Sequence, residues 1–377
     1  MKKLKNKNYG FTLIELLAVI VILGLLALIV TPGVAKVIRN SKFNTSKASL
    51  EGYIREIENA SALYMSDTGV YPESLEDLEL DGKNLDKVNS INIELENGEV
   101  KKIVAKVNDV YCRFEKGERT ECQETMFIGT YLYYDPVNNI KCETYTESNS
   151  ASGVVEGCLK WNVLSAEEDG TLNLLLDHNI VSGVKWHDSE DNSQGPTIAK
   201  AALNNAIKDK WSSELLRTDS YSHTFNNGTE NKTYEVSYNG MKARLPEAGE
   251  IADAVGHPTW NEDTAISGFY LDSKSTGRTV GYGKGKATSD YDWLFNNLSW
   301  GSSSNDDSDS LTCLYYGCTQ NLGKTLGDHG YWSSVSISGL SSQSWQVSAS
   351  GYLGGYLVAN TNVGIRPVIS LNPNIFN

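Results

Sequence analysis

KNKNYGFTLIELLAVIVILGLLALIV, residues 5–30, decides the reading of this chain, because it places one carboxylate, Glu15, near the start of an otherwise uncharged apolar run. Phe11 to Val30 is about 20 residues, long enough as a helix to cross a hydrocarbon core of ~30 Å. An unpaired carboxylate inside such a helix costs on the order of 2.5–3.5 kcal/mol, so a retained one has a partner or a role. Lys2, Lys3, Lys5 and Lys7 precede the run. A secretory signal peptide would show a small-residue cleavage pattern after the apolar core. Here Thr31, Pro32 and Gly33 lead instead into more helical sequence. A plain signal anchor explains the lysines and leaves Glu15 without a purpose. Cleavage between Gly10 and Phe11 explains both, because it frees an α-amino group about 6 Å along a helix from Glu15 and opposite to it in charge. The pair then forms within one chain or between staggered neighbours.

These residues resemble the class III leader and N-terminal helix of type IV pilins and their pseudopilin relatives. The resemblance implies that residues 1–10 are a leader removed by a prepilin peptidase after Gly10, and that Phe11 is methylated as the new terminus. It also implies that Glu15 is the assembly carboxylate, neutralising the amine of an incoming subunit, and that Gly24 and Pro32 loosen the helix. The implied partners are other pilin subunits through the N-terminal helix, the prepilin peptidase, and the membrane before assembly. The implied location is a single-pass segment in the inner or cytoplasmic membrane, then an extracellular filament or the cell surface.

Net charge narrows the ligand classes. The 377-residue chain carries −14 at pH 7 and becomes four charges more negative without the leader lysines. An acidic chain with no basic stripe argues against nucleic acid as a partner. All six cysteines, Cys112, Cys122, Cys142, Cys158, Cys313 and Cys318, follow the apolar segment. Lysines on its N-terminal side keep that side in the cytoplasm, so the cysteines are exported and free to form disulfides. Six cysteines allow 15 pairings. Nearest-neighbour pairing is the expectation, joining Cys112 to Cys122, Cys142 to Cys158, and Cys313 to Cys318. None has zinc-site spacing, and neither a metal nor another cofactor is expected.

Beyond Pro32, SLEGYIREIENASALYM (49–65) sets Leu50, Tyr53, Ile54, Ile57, Ala60 and Tyr64 at i, i+3, i+4 spacing. One apolar stripe with charges opposite predicts that the helix continues, over 11–66 in all, with its second half packed on a head. DTGVYPESLEDLEL reads as a turn and short helix. NIELENGEVKKIVAKV and DVYCRFEKGERTECQ alternate apolar and polar residues around Asn-Gly and Lys-Gly turns, which predicts antiparallel hairpins and a β head over 67–125.

Residues 126–377 change character, with short strands, many Gly, Ser, Asn and aromatic residues, and few helical periods. Expected strands are FIGTYLYYD, CLKWNVLSAE, TLNLLLDHN, SWQVSASG and GIRPVISL. TIAKAALNNAIKDKW and EAGEIADAVG are the expected helices, and the mixture makes the fold class α+β. ARLPEAGEIADAV (243–255) and GYWSSVSISGLSSQSWQVSASGYLGGYLVANTNVGIRPVISL (330–371) resemble the formylglycine-generating-enzyme-like branch of the C-type-lectin-like fold. That resemblance implies an exported C-type-lectin-like domain over 126–377.

Catalytic signals are weak. The copper-binding members of that branch carry two cysteines five residues apart, as Cys313 and Cys318 are, yet close to the closing G-I-R-P strand. Here a long segment intervenes. Among His178, His187, His223, His257 and His329, none falls in a metal or triad motif. HDSEDNSQG and SSSNDDSDS are oxygen-rich without EF-hand spacing and read as solvated loops. Trp332 and Trp345 read as core. Trp300 and Tyr315, flanking the second acidic run, are the candidate ligand-binding aromatics, for a surface glycan or protein.

The expected protein is therefore not an enzyme. It is a minor or tip type IV pilin-like subunit displaying a large exported domain for adhesion or surface recognition. Two alternatives carry the same sequence features: a pseudopilin of a type II secretion or DNA-uptake machine, and a membrane-tethered copper oxidase. A plain anchored surface receptor is a third.

Overall fold

The computed structural model describes residues 13–80, 87–142, 144–145, 153–167, 169–271, 291–295, 330–348, 351–361, 363–372 and 375. The side chains of 14, 15, 18, 23–33, 35 and 292 also lie outside the described set. The chain divides into two compact units, Met1–Glu124 and Thr125–Asn377.

The first unit is a helix on a sheet. Helix α1 (Leu13–Thr68) is continuous across Gly24 and Pro32 and ends where Gly69, at φ 78°, takes the left-handed conformation and donates its N–H to Met65. Among the described residues, no helix is long and apolar enough to cross a membrane. Strands β1 (Val88–Glu96), β2 (Glu99–Val107), β3 (Val110–Glu115) and β4 (Glu121–Gln123) form an antiparallel sheet in chain order. The stripe predicted from 49–65 supplies the contact: Leu50, Tyr53, Ile54 and Ile57 bury against Val100, Ile103, Ala105, Val107 and Cys112. Tyr64 and Ala60, further along the stripe, are only half-buried. The Asn-Gly signal makes the β1–β2 turn, with φ 52° at Asn97 and 81° at Gly98, a backbone twist that suits a two-residue hairpin. Cys112 and Cys122 sit opposite each other in the β3–β4 register and are disulfide-bonded.

The second unit is α+β and built from antiparallel sheets. Strands β5 (Tyr131–Asp135), β6 (Ile140–Cys142), β7 (Leu159–Ala166), β8 (Leu172–Leu176) and β15 (Val368–Leu371) form one sheet in the order β15-β8-β7-β5-β6. Strand β8, LNLLL, is buried at every position and so shows no alternation. A second sheet, β11-β14-β13-β12, joins Phe269–Tyr270, Tyr352–Leu357, Gln343–Ser348 and Gly330–Ser336. A two-stranded ribbon pairs β9 (Ser220–Asn226) with β10 (Asn231–Ser237). Helix α2 (Thr197–Ile207) buries Ala199, Leu203 and Ile207, its i, i+4, i+8 face, and α3 (Ala248–Ala254) buries Ile251 and Ala252. Leu164, Leu175, Ile251, Tyr331, Val335, Trp345, Val347 and Val368 share one core.

Two buried indoles and a buried guanidinium in this unit are tied to backbone carbonyls. Trp332 and Trp345 are fully buried, and their indoles donate to Val184 O (2.6 Å) and Glu262 O (3.1 Å). Arg366, from the G-I-R-P strand, is fully buried and donates to the carbonyls of Leu176, Leu294 (2.6 Å) and Trp293 (2.8 Å). A second disulfide joins Cys142 to Cys158. Cys313 and Cys318 lie outside the described residues.

Candidate functional site

Two regions carry candidate chemistry, the N-terminal apolar segment and a buried histidine cluster in the second unit. At the N-terminus, Gly10 and Phe11 lie outside the described residues, while Glu15, Gly24 and Pro32 fall within α1 without described side chains. The neighbouring Leu13, Leu16, Leu17, Val19, Ile20, Val21 and Ile22 are all exposed. Trp300 and Tyr315 lie outside the described residues, so the structure brings neither to a site. Of the two acidic runs, 187–195 is described: Asp191 accepts Ser193 N (2.9 Å) and Ser193 Oγ (2.8 Å), closing a turn on itself. Residues 302–310 lie outside the described set.

The second region gathers around a histidine. His223 alternates inward on β9 and is 4% exposed, in register with Tyr234 of β10. Glu247 precedes α3 in extended conformation, and Glu262 and Asp263 sit in the turn that follows that helix. His223 Nε2 lies 3.0 Å from Glu247 Oε2, and Nδ1 lies 3.3 Å from Asp263 Oδ1 and 3.9 Å from Glu262 Oε1. Neighbours orient the carboxylates. Ser334 Oγ donates to Glu247 Oε1, and the Gly249 N–H donates to Glu262 Oε2. Asn261 Oδ1 accepts the Asp263 N–H at 3.0 Å. Among the described residues, His223, Glu247 and Glu262 are the group whose ligand atoms all lie within 4.8 Å of one another.

The electrostatics follow from burial and crowding. Burial disfavours the imidazolium, but Asp263, Glu247 and Glu262 outweigh it and push His223 up to about 10. Burial, reinforced by the Glu247 charge, pushes Glu262 up to about 8. Both His223 and Glu262 thus hold a proton more tightly than the free side chains do.

Sequence reasoning held each histidine to be structural, and this cluster escaped it. His178 fits that reading, held by Asp177 (2.7 Å) and Val154 O (2.8 Å) in the core. His257 is exposed beside the Phe269 ring. The cluster's visible signals were the Glu of RLPEAGE and the adjacent Glu262-Asp263 pair, which nothing in sequence links to His223.

Comparison with known proteins bears on the first region. Residues 5–31 match the model of the prokaryotic N-terminal methylation motif. The N-terminal segment of the chain is therefore similar to the methylation-motif segment of type IV pilins and pseudopilins. An 82-residue stretch of the chain, 21% of it, is 40% identical to the type II secretion system core protein G of Vibrio cholerae serotype O1. The chain spans about half (51%) of that relative's length. No solved structure matches the chain.

Proposed function

We propose that the protein is a type IV pilin-like filament subunit, of the minor or tip kind, that displays residues 126–377 outside the cell for adhesion or surface recognition. The observation that carries this reading is the methylation motif over 5–31, running into one helix that continues to Thr68 and packs on a four-stranded head. The mechanism starts with Lys2, Lys3, Lys5 and Lys7 holding the leader inside. Cleavage after Gly10 frees the Phe11 amine, and Glu15 makes entry into a helical bundle favourable by neutralising that charge. A misregistered neighbour leaves both charges unpaired in a dry core, which is costly, so the pair selects register. Exposed Leu13, Leu16, Leu17 and Val19–Ile22 offer the apolar surface that lipid, and later neighbouring helices, would cover. The membrane is thus the single-pass residence before assembly.

A large exported unit on every subunit would crowd a homopolymer, which favours sparse or terminal incorporation. The unit itself is read as a C-type-lectin-like binding module rather than an enzyme, supported by the buried Arg366 and Trp332 of the closing strands. Glu15→Ala tests the mechanism. The variant is expected to be cleaved normally and to be missing from sheared filaments; normal incorporation would contradict the reading.

The likeness to a type II secretion core protein favours a second reading, a pseudopilin of a secretion or DNA-uptake machine. Immunogold microscopy of native cells separates them: label on long surface fibres supports the pilus, and label confined to the envelope supports the pseudopilus.

A further inference from the structure

The group around His223 is assembled from three separate pieces of chain: strand β9, the residue before α3, and the turn after α3. Its charged atoms pair closely, yet His223 Nε2, Glu247 Oε2 and Asp263 Oδ1 are buried without an aligned hydrogen bond. His223 Nε2 and Glu247 Oε2 form a 3.0 Å ion pair in which neither atom meets hydrogen-bond geometry. Both residues are more than nine-tenths buried. Asp263 Oδ1 is likewise buried without a hydrogen bond at 3.3 Å from Nδ1. Buried polar atoms left this way are costly and call for a partner.

The surrounding bonds have a consistent sense. Ser334 takes one oxygen of Glu247 and leaves Oε2 toward the imidazole; Gly249 takes one oxygen of Glu262 and leaves Oε1 toward it. The Trp345 indole, donating to Glu262 O, fixes the turn that carries it. Outer bonds that aim one oxygen of each carboxylate inward are how proteins orient metal ligands. One imidazole nitrogen with carboxylate oxygens suits a first-row divalent cation better than calcium or magnesium, which favour oxygen alone.

We infer that His223, Glu247 and Glu262 form a structural site for a zinc-class divalent cation, with Asp263 placed to hold the imidazole ring. The cation joins β9 to the N-terminal end of α3 and to the later turn that carries Glu262, and works as a clamp. The inference does not depend on the filament reading.

The test uses the full chain, purified in detergent, stripped with chelator and titrated with Zn²⁺ by calorimetry, with thermal unfolding followed in parallel. One Zn²⁺ per chain and a raised Tm are expected, since a ligand bound only by the folded state stabilises it. Glu262→Gln removes one ligand charge in a near-isosteric side chain and should weaken affinity at least about 10-fold. His223→Gln should abolish the Tm response. Absence of saturable Zn²⁺ binding would overturn the site. So would unchanged affinity in Glu262→Gln, which remains informative if His223→Gln fails to fold.

Discussion

Arg244 Nη2 lies 2.7 Å from Glu250 Oε1, and the same oxygen accepts Ser165 Oγ at 2.6 Å. Arg244 is buried and Glu250 nearly so, with 12% side-chain exposure. Removing one partner of such a pair strands the other charge. Glu250→Ala is therefore expected to destabilise the second unit by about 3–5 kcal/mol in chemical denaturation. Burial pushes the Glu250 carboxyl up, but the Arg244 guanidinium and the Ser165 hydroxyl outweigh it and hold it below the usual carboxylate range. Its contribution is fully present above the ordinary glutamate pKa and is lost as pH falls through the lower folded value. Wild-type protein should lose stability on that acid limb, and Glu250→Gln should show a shallower loss there.

Gly98 makes a second, independent prediction. It holds φ +81°, and a Cβ there would stand 2.9 Å from Cδ1 of Tyr71. Gly98→Ala should cost about 1 kcal/mol or more, through strain and the displaced ring. Gly117→Ala is the control: its φ is +93°, yet nothing lies within 4 Å of the added methyl. Thermal melts should therefore rank Gly98→Ala below Gly117→Ala.

Much of the first unit was legible because its signals are local. The stripe Leu50, Tyr53, Ile54 and Ile57 names the buried face of a helix directly, and Asn97-Gly98 names a hairpin turn. In the second unit TIAKAALNNAIKDKW gave a helix but not its end, since Lys208 takes the cap while the pattern runs on to Trp211. The β9–β10 ribbon was missed, because SYSHTFN puts only His223 and Phe225 fully inward and looks polar. The His223 cluster was missed with it. A pair such as His223 and Glu262 meets only through tertiary structure, and no local period records the meeting. Trp332 and Trp345 were read as core, and they are fully buried.

The Cys112–Cys122 bridge pins β3 to β4 across a short loop, with a sequence separation of 10. Closing so short a loop restricts the unfolded chain modestly, by about 2–3 kcal/mol on the loop-entropy account. Cys112→Ala/Cys122→Ala should lower the stability of the first unit by that order. Hydrogen exchange should then quicken in β4 before it does in β2, which packs on α1.

The most direct measurement of the central claim is intact and N-terminal peptide mass spectrometry of the protein from its native cell. The account predicts a mature chain that begins at Phe11 and carries one added methyl group. A chain that still begins at Met1, with the leader uncut, would contradict it and leave Glu15 as an unexplained charge in an ordinary anchor.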